Sequence, residues 1–297
     1  MQKHKIDYHI EDGNFKNLAR ALTMVENDLE GSDEILFNLN ATSSSIVVGI
    51  TGPPGAGKST LVNGIINQLA SEDKRIAVLA IDPTSPFNLG SLLGDRIRMT
   101  EQFNKPNVFI RSLATRGSLG GLSAKTIEMV DVLKSVGFNY IFVETVGVGQ
   151  SEVEIVGLAD VTVVVLVPES GDEIQTIKSG LMEIADIFVV NKADREGADI
   201  FANNLKKMAH LKTTPIQVIK TIALRSEGII ELLGAVRNFS ESENKHKPFL
   251  LAEKAYRLIQ RQRMIDIDKK RLQQDIAKAC KNDGFNLYRF VSEYEKT

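Results

Sequence analysis

The 297-residue chain has one cysteine, Cys280, and four histidines, His4, His9, His210 and His246, set far apart. A lone cysteine excludes an internal disulfide and any site built on paired thiolates. The scattered imidazoles supply no ligand set for nickel or a similar metal. Neither sign of charge prevails, with 36 Lys+Arg against 38 Asp+Glu for a net of −2. Without a strong field of one sign, nucleic acid and anionic membrane are not expected as partners. Long apolar runs are missing as well. The most apolar stretch, 161–167, is far too short to span a bilayer, and the opening MQKHKIDYHIEDGNFK has no apolar core of the signal-peptide kind. A cytoplasmic, reducing compartment is the expectation.

What is present is an alternation of short β-branched runs with longer helical patterns. At roughly 150 residues per domain, the length suits one large domain with an appendage. Residues 1–45 are polar, apart from one amphipathic pattern through Leu18, Ala21, Leu22 and Val25, and close on Ser43-Ser44-Ser45, which reads as a helical arm and linker. Over 46–240 strands are predicted at 46–50, 76–82, 108–111, 140–144, 161–167, 187–190 and 216–221. Their near-continuous hydrophobicity predicts burial on both faces. Helices are predicted at 58–70, at 122–137 with Gly137 as C-cap, and at 173–186. The fold class is therefore α/β, a doubly wound, mostly parallel sheet. Residues 241–297 are rich in charged helix formers, and Leu251, Leu258, Ile265 and Leu272 recur every seven residues. The second apolar position is poor, Ala255, Gln262, Lys269, so this helical extension suits intramolecular packing or dimerisation equally.

Gly52-Pro53-Pro54-Gly55-Ala56-Gly57-Lys58-Ser59-Thr60 matches G-x-x-x-x-G-K-[ST] directly between a predicted strand and helix. Such a loop curls so that successive N–H groups meet phosphate oxygens, and the helix N-terminus adds its dipole. Lys58 would reach the β- and γ-phosphates and Ser59 would ligate Mg²⁺, with no contact in the core required of Lys58. Asn191-Lys192-Ala193-Asp194 follows the strand at 187–190. One carboxylate can accept both the N1–H and the 2-amino group of guanine, which suits Asp194. The Asn191 amide can tie neighbouring loops, and the Lys192 stem can cover the base; a plain helix N-cap at a strand end is the bland alternative. In Thr221-Ile222-Ala223-Leu224, the pair Ala223 and Leu224 can bring a backbone N–H to guanine O6.

Acidic residues end two strands. Asp82 and Glu144 can each hold Mg²⁺, directly or through water, although Asp82 before Pro83 also reads as a turn initiator. Glu144-Thr145-Val146-Gly147 has the layout of a γ-phosphate-sensing turn with Glu in place of the usual Asp. Asp95 and Arg98 can approach the nucleotide or lie on a solvated helix face. After Gly147, where many GTPases carry a water-orienting Gln, this chain has Val148, and the nearest Gln is Gln150. Slow intrinsic hydrolysis, completed by a partner, is the expectation.

GPPGAGKST, AIDPTSPF, LGDRIRM, TRGSLGG, ETVGVGQSE, GDEIQTIKSG and NKAD occur in this order. Together they resemble the MeaB family, in the branch of P-loop GTPases that act as metallocentre and cofactor chaperones. Its members include the human methylmalonic aciduria type A protein and proteins once labelled ArgK. The resemblance covers roughly residues 15–240. It implies a homodimeric GTPase, using GTP/GDP and Mg²⁺, that chaperones an adenosylcobalamin-dependent acyl-CoA mutase, gating cofactor loading and protecting the mutase. By position it assigns Asp82, Asp95 and Glu144 to the Mg²⁺ environment and Asp194 to guanine. It makes 82–99, with Arg98, 144–150, with Gln150, and 171–178, with Gln175 and Lys178, the nucleotide- and partner-sensing segments. On spacing alone 171–178 reads as a polar helix start with Asp172 at the N-cap. A cobalamin-binding D-x-H-x-x-G motif is missing, since Asp7-Tyr8-His9 is followed by Gly13, one residue too far. The alternative from another class is a small-molecule or transport-component kinase, as the older ArgK label suggests; base choice and a phosphate acceptor separate the two.

Overall fold

A computed structural model describes residues 15–39, 44–82, 99–114, 124–145, 155–169, 181–210, 216–240, 247–281 and 284–294. Seven strands form one sheet: β1 (Ile46–Thr51), β2 (Ile76–Asp82), β3 (Val108–Ala114), β4 (Tyr140–Glu144), β5 (Val161–Leu166), β6 (Ile187–Val190) and β7 (Gln217–Lys220). Their order is β3-β2-β4-β1-β5-β6-β7, and every pairing is parallel. The doubly wound α/β class read from the sequence is the one observed.

The pleat sorts each strand's residues between two faces. Val48, Ile50, Val78, Phe142, Val163, Val165 and Val189 join one core with α3 (Lys58–Ser71) and α6 (Ile229–Ser240). Their sequence neighbours face the other way. Val47, Leu79, Ile141 and Val143 pack with α1 (Phe15–Glu26) and α4 (Ala124–Ser135), while Val164, Leu166, Phe188 and Val190 pack with α5 (Ala198–Ala209). Both faces are covered, so alternation in sequence disappears and the strands read as apolar runs.

The N-terminal helical arm belongs to this second face. Leu18, Ala21, Leu22 and Val25 recur at helical spacing and are all buried, against β2, β3 and α4. Truncating Leu18 or Leu22 to Ala would cost about 2–5 kcal/mol, the usual range for a buried leucine. A polar seam adds to the contact. Arg111 of β3 donates to the Ala19 carbonyl at 3.0 Å and pairs with Glu26 at 2.5 Å. A short helix, α2 (Ser32–Phe37), follows Gly31 and was not foreseen. Gly137, in the left-handed region at φ 79°, returns its N–H to Lys134 O and closes α4. Of the helix expected over 173–186, the described part is a single turn, Met182–Ile184, and Ala185 is already extended; 173–180 lie outside the described residues.

Contacts divide the chain into two compact units, Met1–Lys254 and Ala255–Thr297. The last helices are α7 (Lys247–Arg263), α8 (Lys269–Ala279) and α9 (Leu287–Tyr294). The seven-residue stripe does not run along one helix. Leu251 and Leu258 lie on α7 and Leu272 on α8, but Ile265 falls between them, 81% exposed. Asp268 accepts from the Arg271 N–H and caps α8, which ends the register. In Ala255–Thr297 none of the described side chains is fully buried. Phe285, Phe290 and Tyr294 pack there with their rings tilted against one another, and the Tyr294 hydroxyl reaches Asp275 at 3.4 Å. Among the described residues no helix is long and apolar enough to cross a membrane.

Candidate functional site

In a doubly wound sheet ligands bind beyond the carboxyl ends of the strands, where connections leave to opposite sides. Here β1 sends the chain past β4's place to β2, and β4 sends it past β1 to β5. Register puts Ile50 of β1 and Ala80 of β2 both opposite Glu144, so the three strands end within two residues of one another.

The 52–57 loop leaves β1 at this edge. Gly52 sits at φ +137°, and a Cβ there would run into the Val165 carbonyl of β5. Gly57, at φ +87°, precedes α3 and offers no side-chain cap to its first N–H groups. A Cβ on Gly57 would strike the Asn191 amide nitrogen. The loop is thus tight where it must be, and the uncapped start of a 14-residue helix favours an anion.

Lys58 has protein partners that the sequence did not assign to it. It is only 8% exposed, and its Nζ donates to Gly52 O at 2.8 Å and Pro53 O at 3.0 Å. The ammonium already holds the loop's own carbonyls together. Beside it the Ser59 hydroxyl donates to Glu144 Oε1 at 2.7 Å, both residues buried. This bond joins the first turn of α3 to the end of β4, across 85 residues of sequence. Thr60, the next residue on α3, is half-buried.

The second cluster centres on Asn191, one residue past β6. Its Nδ2 donates to Ala56 O at 2.8 Å, while its Oδ1 accepts from the Thr221 hydroxyl and the Ala223 N–H, each at 3.1 Å. One amide therefore joins the 52–57 loop, the end of β6 and the segment after β7. The Ala193 N–H donates to Thr221 O, and Lys192 takes a left-handed φ of 57°. Arg195 forms an exposed ion pair with Glu169. Lys192 is half-buried, Asp194 is exposed, and Leu224 is 88% exposed.

The structure so gathers Gly52, Pro53, Pro54, Gly55, Ala56, Gly57, Lys58, Ser59, Glu144, Asn191 and Ala223 along one edge by direct bonds or chain continuity. Asp82 ends β2 at the same edge, but its side chain is outside the described residues, as are Asp95, Arg98, Gly147, Gln150, Gln175 and Lys178. Three hydrogen-bonding roles here were not read from the sequence, although Thr145 and Thr221 stand in motifs it singled out. Thr51 and Thr145 share a hydroxyl hydrogen bond of 2.9 Å, and Thr221 serves Asn191. Their signal in the sequence was a threonine at or just past the end of an apolar strand.

A glycine-cradled loop running into Lys-Ser at the edge of a parallel sheet, with a buried carboxylate on that serine, defines a P-loop nucleotide-binding protein. The chain belongs to the MeaB family: the family model described as "Methylmalonyl Co-A mutase-associated GTPase MeaB" matches residues 18–280. Its class is that of the GTPases, so GTP is the nucleotide and hydrolysis the activity. A Pyrococcus abyssi protein with a provisional GTPase name is 48% identical over 276 residues, covering 90% of this chain and 80% of that one. The mouse "Methylmalonic aciduria type A homolog, mitochondrial" is 39% identical over 200 residues, 65% of this chain and 48% of its own. Among solved structures, "LAO/AO transport system kinase" superposes with a TM-score of 0.66 at 25% identity, covering 96% of this chain and 95% of that one.

Proposed function

We propose that this GTPase is a nucleotide-gated chaperone of an adenosylcobalamin-dependent acyl-CoA mutase of the methylmalonyl-CoA mutase type, controlling cofactor loading and protecting the mutase. Residues 46–240 would be the GTPase body, 1–45 the arm and 241–297 the extension that makes a homodimer. The observation that carries the nucleotide part is the buried Ser59–Glu144 hydrogen bond at the mouth of the glycine loop. The mutase part is supported by the family's description.

In this reading the 52–60 segment wraps the phosphates, and Lys58 moves from the Gly52 and Pro53 carbonyls to the β- and γ-phosphates. Guanine lies on Asp194, with the Lys192 stem over its face. The Ala223 N–H is engaged by Asn191, so the Leu224 N–H is our choice for O6. Hydroxyl and carboxylate oxygens suit Mg²⁺, and Ser59 and Glu144 bring such donors within 2.7 Å of each other. Ser59, Glu144, Asp82 and Asp95 would hold the ion, which when bound neutralises phosphate charge. Gly147 would sense the γ-phosphate. With Val148 beside it, hydrolysis is slow until the partner completes the site, through Arg98, Gln150, Gln175 and Lys178.

The test is phosphate release with and without saturating mutase. Gln175→Ala and Lys178→Ala should bind GTP within a factor of a few of the parent and lose most of the stimulation, a coupling of about 1–3 kcal/mol. Full stimulation in both variants would remove the 171–178 segment from the coupling path. A second reading, a transport-component kinase, draws on the superposition with the LAO/AO transport system kinase and on that protein's name. Preference for ATP together with a phosphorylated acceptor would favour it.

A further inference from the structure

Glu144 and Thr145 are neighbours at the end of β4, and the pleat sends consecutive side chains to opposite faces. Glu144 continues the row of Tyr140 and Phe142, on the face covered by α3, where it accepts from Ser59. Thr145 continues the row of Ile141 and Val143 on the other face. There its hydroxyl donates to the Thr51 hydroxyl at 2.9 Å, both residues about 1% exposed or less. Its backbone N–H also extends the ladder by one bond, to Ile50 O at 3.0 Å. Thr51 is the last residue of β1, directly before the glycine loop.

The end of β4 is therefore pinned to the root of that loop from both sides, by Ser59 on one face and Thr51 on the other. Threonine is stiff about χ1, so a hydroxyl pair between two threonines fixes backbone as well as side chain. We propose that the Thr51–Thr145 pair is a positioning element that sets where the Glu144 carboxylate stands relative to Ser59, and hence how well the site takes up Mg²⁺ with GTP. Neither threonine touches the nucleotide in this account; both act through Glu144. The inference rests on the proposed metal role of Glu144.

The experiment compares Thr145→Val and Thr51→Val, which keep shape and lose the hydroxyl, with Thr145→Ser and Thr51→Ser, which keep it. GTP hydrolysis is measured against Mg²⁺ concentration on the full chain, and GDP binding is measured with the metal chelated. The valine variants should need up to about 10-fold more Mg²⁺ for half-maximal rate, at the low end of what loss of a direct hydrogen-bond partner of a metal ligand costs, because the threonines act on Glu144 through the backbone. The serine variants should restore the parent's Mg²⁺ dependence, the double valine variant should be no worse than either single one, and metal-free GDP affinity should hold within about twofold. Should valine prevent folding, Thr145→Ala against Thr145→Ser gives the same comparison. Unchanged Mg²⁺ dependence in the hydroxyl-less variants, or equal loss in the serine variants, overturns the inference. A parent protein whose hydrolysis ignores Mg²⁺ overturns the underlying metal assignment instead.

Discussion

The two halves of the nucleotide edge are built differently. In the phosphate half the polar side chains are already engaged with protein: Lys58 with two carbonyls and Ser59 with Glu144, all buried. In the base half Asn191 and Thr221 are so committed, while Asp194 and Leu224 stand in solvent. A ligand entering the phosphate half exchanges one set of hydrogen bonds for another, so its gain is a difference and the loop keeps its shape without it. A base entering the other half gains recognition at groups the protein has left in water. Stability should therefore be tied to the first half and selectivity to the second.

Lys58→Ala is the sharpest way to break that contrast, because it should fail on both counts. Losing a phosphate-bound ammonium should weaken GTP binding by about 100-fold or more, each factor of ten being worth about 1.4 kcal/mol. It also strips a donor from the buried Gly52 carbonyl and the half-buried Pro53 carbonyl, which should lower stability by about 1–3 kcal/mol. Titration calorimetry and denaturant unfolding of the ligand-free protein measure the two effects. A variant that loses GTP but unfolds like the parent would mean that Lys58 serves the ligand alone, as its sequence context suggests.

Asp194→Asn should do the converse, altering choice and leaving stability alone. An amide cannot accept both guanine donors, yet its NH₂ can donate to the C2 carbonyl of xanthine. Preference should turn from GTP to XTP by about 100-fold or more, the scale on which a site rejects a base that leaves its polar groups unpaired. An exposed side chain with no packing role should change the unfolding free energy by less than about 0.5 kcal/mol. Competition between the two nucleotides, read on the folded variant, decides it; continued preference for GTP takes Asp194 off the base.

How much of this was legible follows from range. The buried strands declare themselves, since parallel pairing covered on both faces turns each into an apolar run, and β1 to β7 fall within a few residues of their expected bounds. The glycine loop and NKAD are contiguous, so their chemistry is local too. The bonds that organise the site are not local. Ser59 to Glu144, Thr51 to Thr145 and Ala56 to Asn191 join residues 85, 94 and 135 apart, and no spacing rule relates them. The C-terminal stripe, which suits packing or dimerisation equally, is shared between two helices. Its seven-residue period was real, but Asp268 followed by Lys269, Lys270 and Arg271 is a helix start, and that punctuation outranks the repeat.

The smallest expected effect tests whether the base half is organised from within. Lys220 ends β7, next to Thr221, and donates to Asp199 in the first turn of α5 at 2.7 Å. That hydrogen bond, with the Lys220 charge behind it, holds the Asp199 carboxyl below its ordinary value. A carboxyl depressed by folding contributes stability above its unfolded pKa and loses that contribution as pH falls through the folded one. Asp199→Asn should therefore differ from the parent at neutral pH and match it once the carboxyl of the parent is protonated. Both partners are exposed, so the difference should be near the limit of detection and should shrink further in high salt. Neither side chain bonds to Asn191, which takes its orientation from Thr221, Ala223 and Ala56. The ratio of GTP to XTP affinity should accordingly stay within about twofold of the parent at any salt concentration, as expected for a site outside the coupled network. Nucleotide competition across a salt series is the measurement, and a salt-sensitive change in base preference would show that the surface pair, rather than the Asn191 junction, sets the pose of the 191–194 segment.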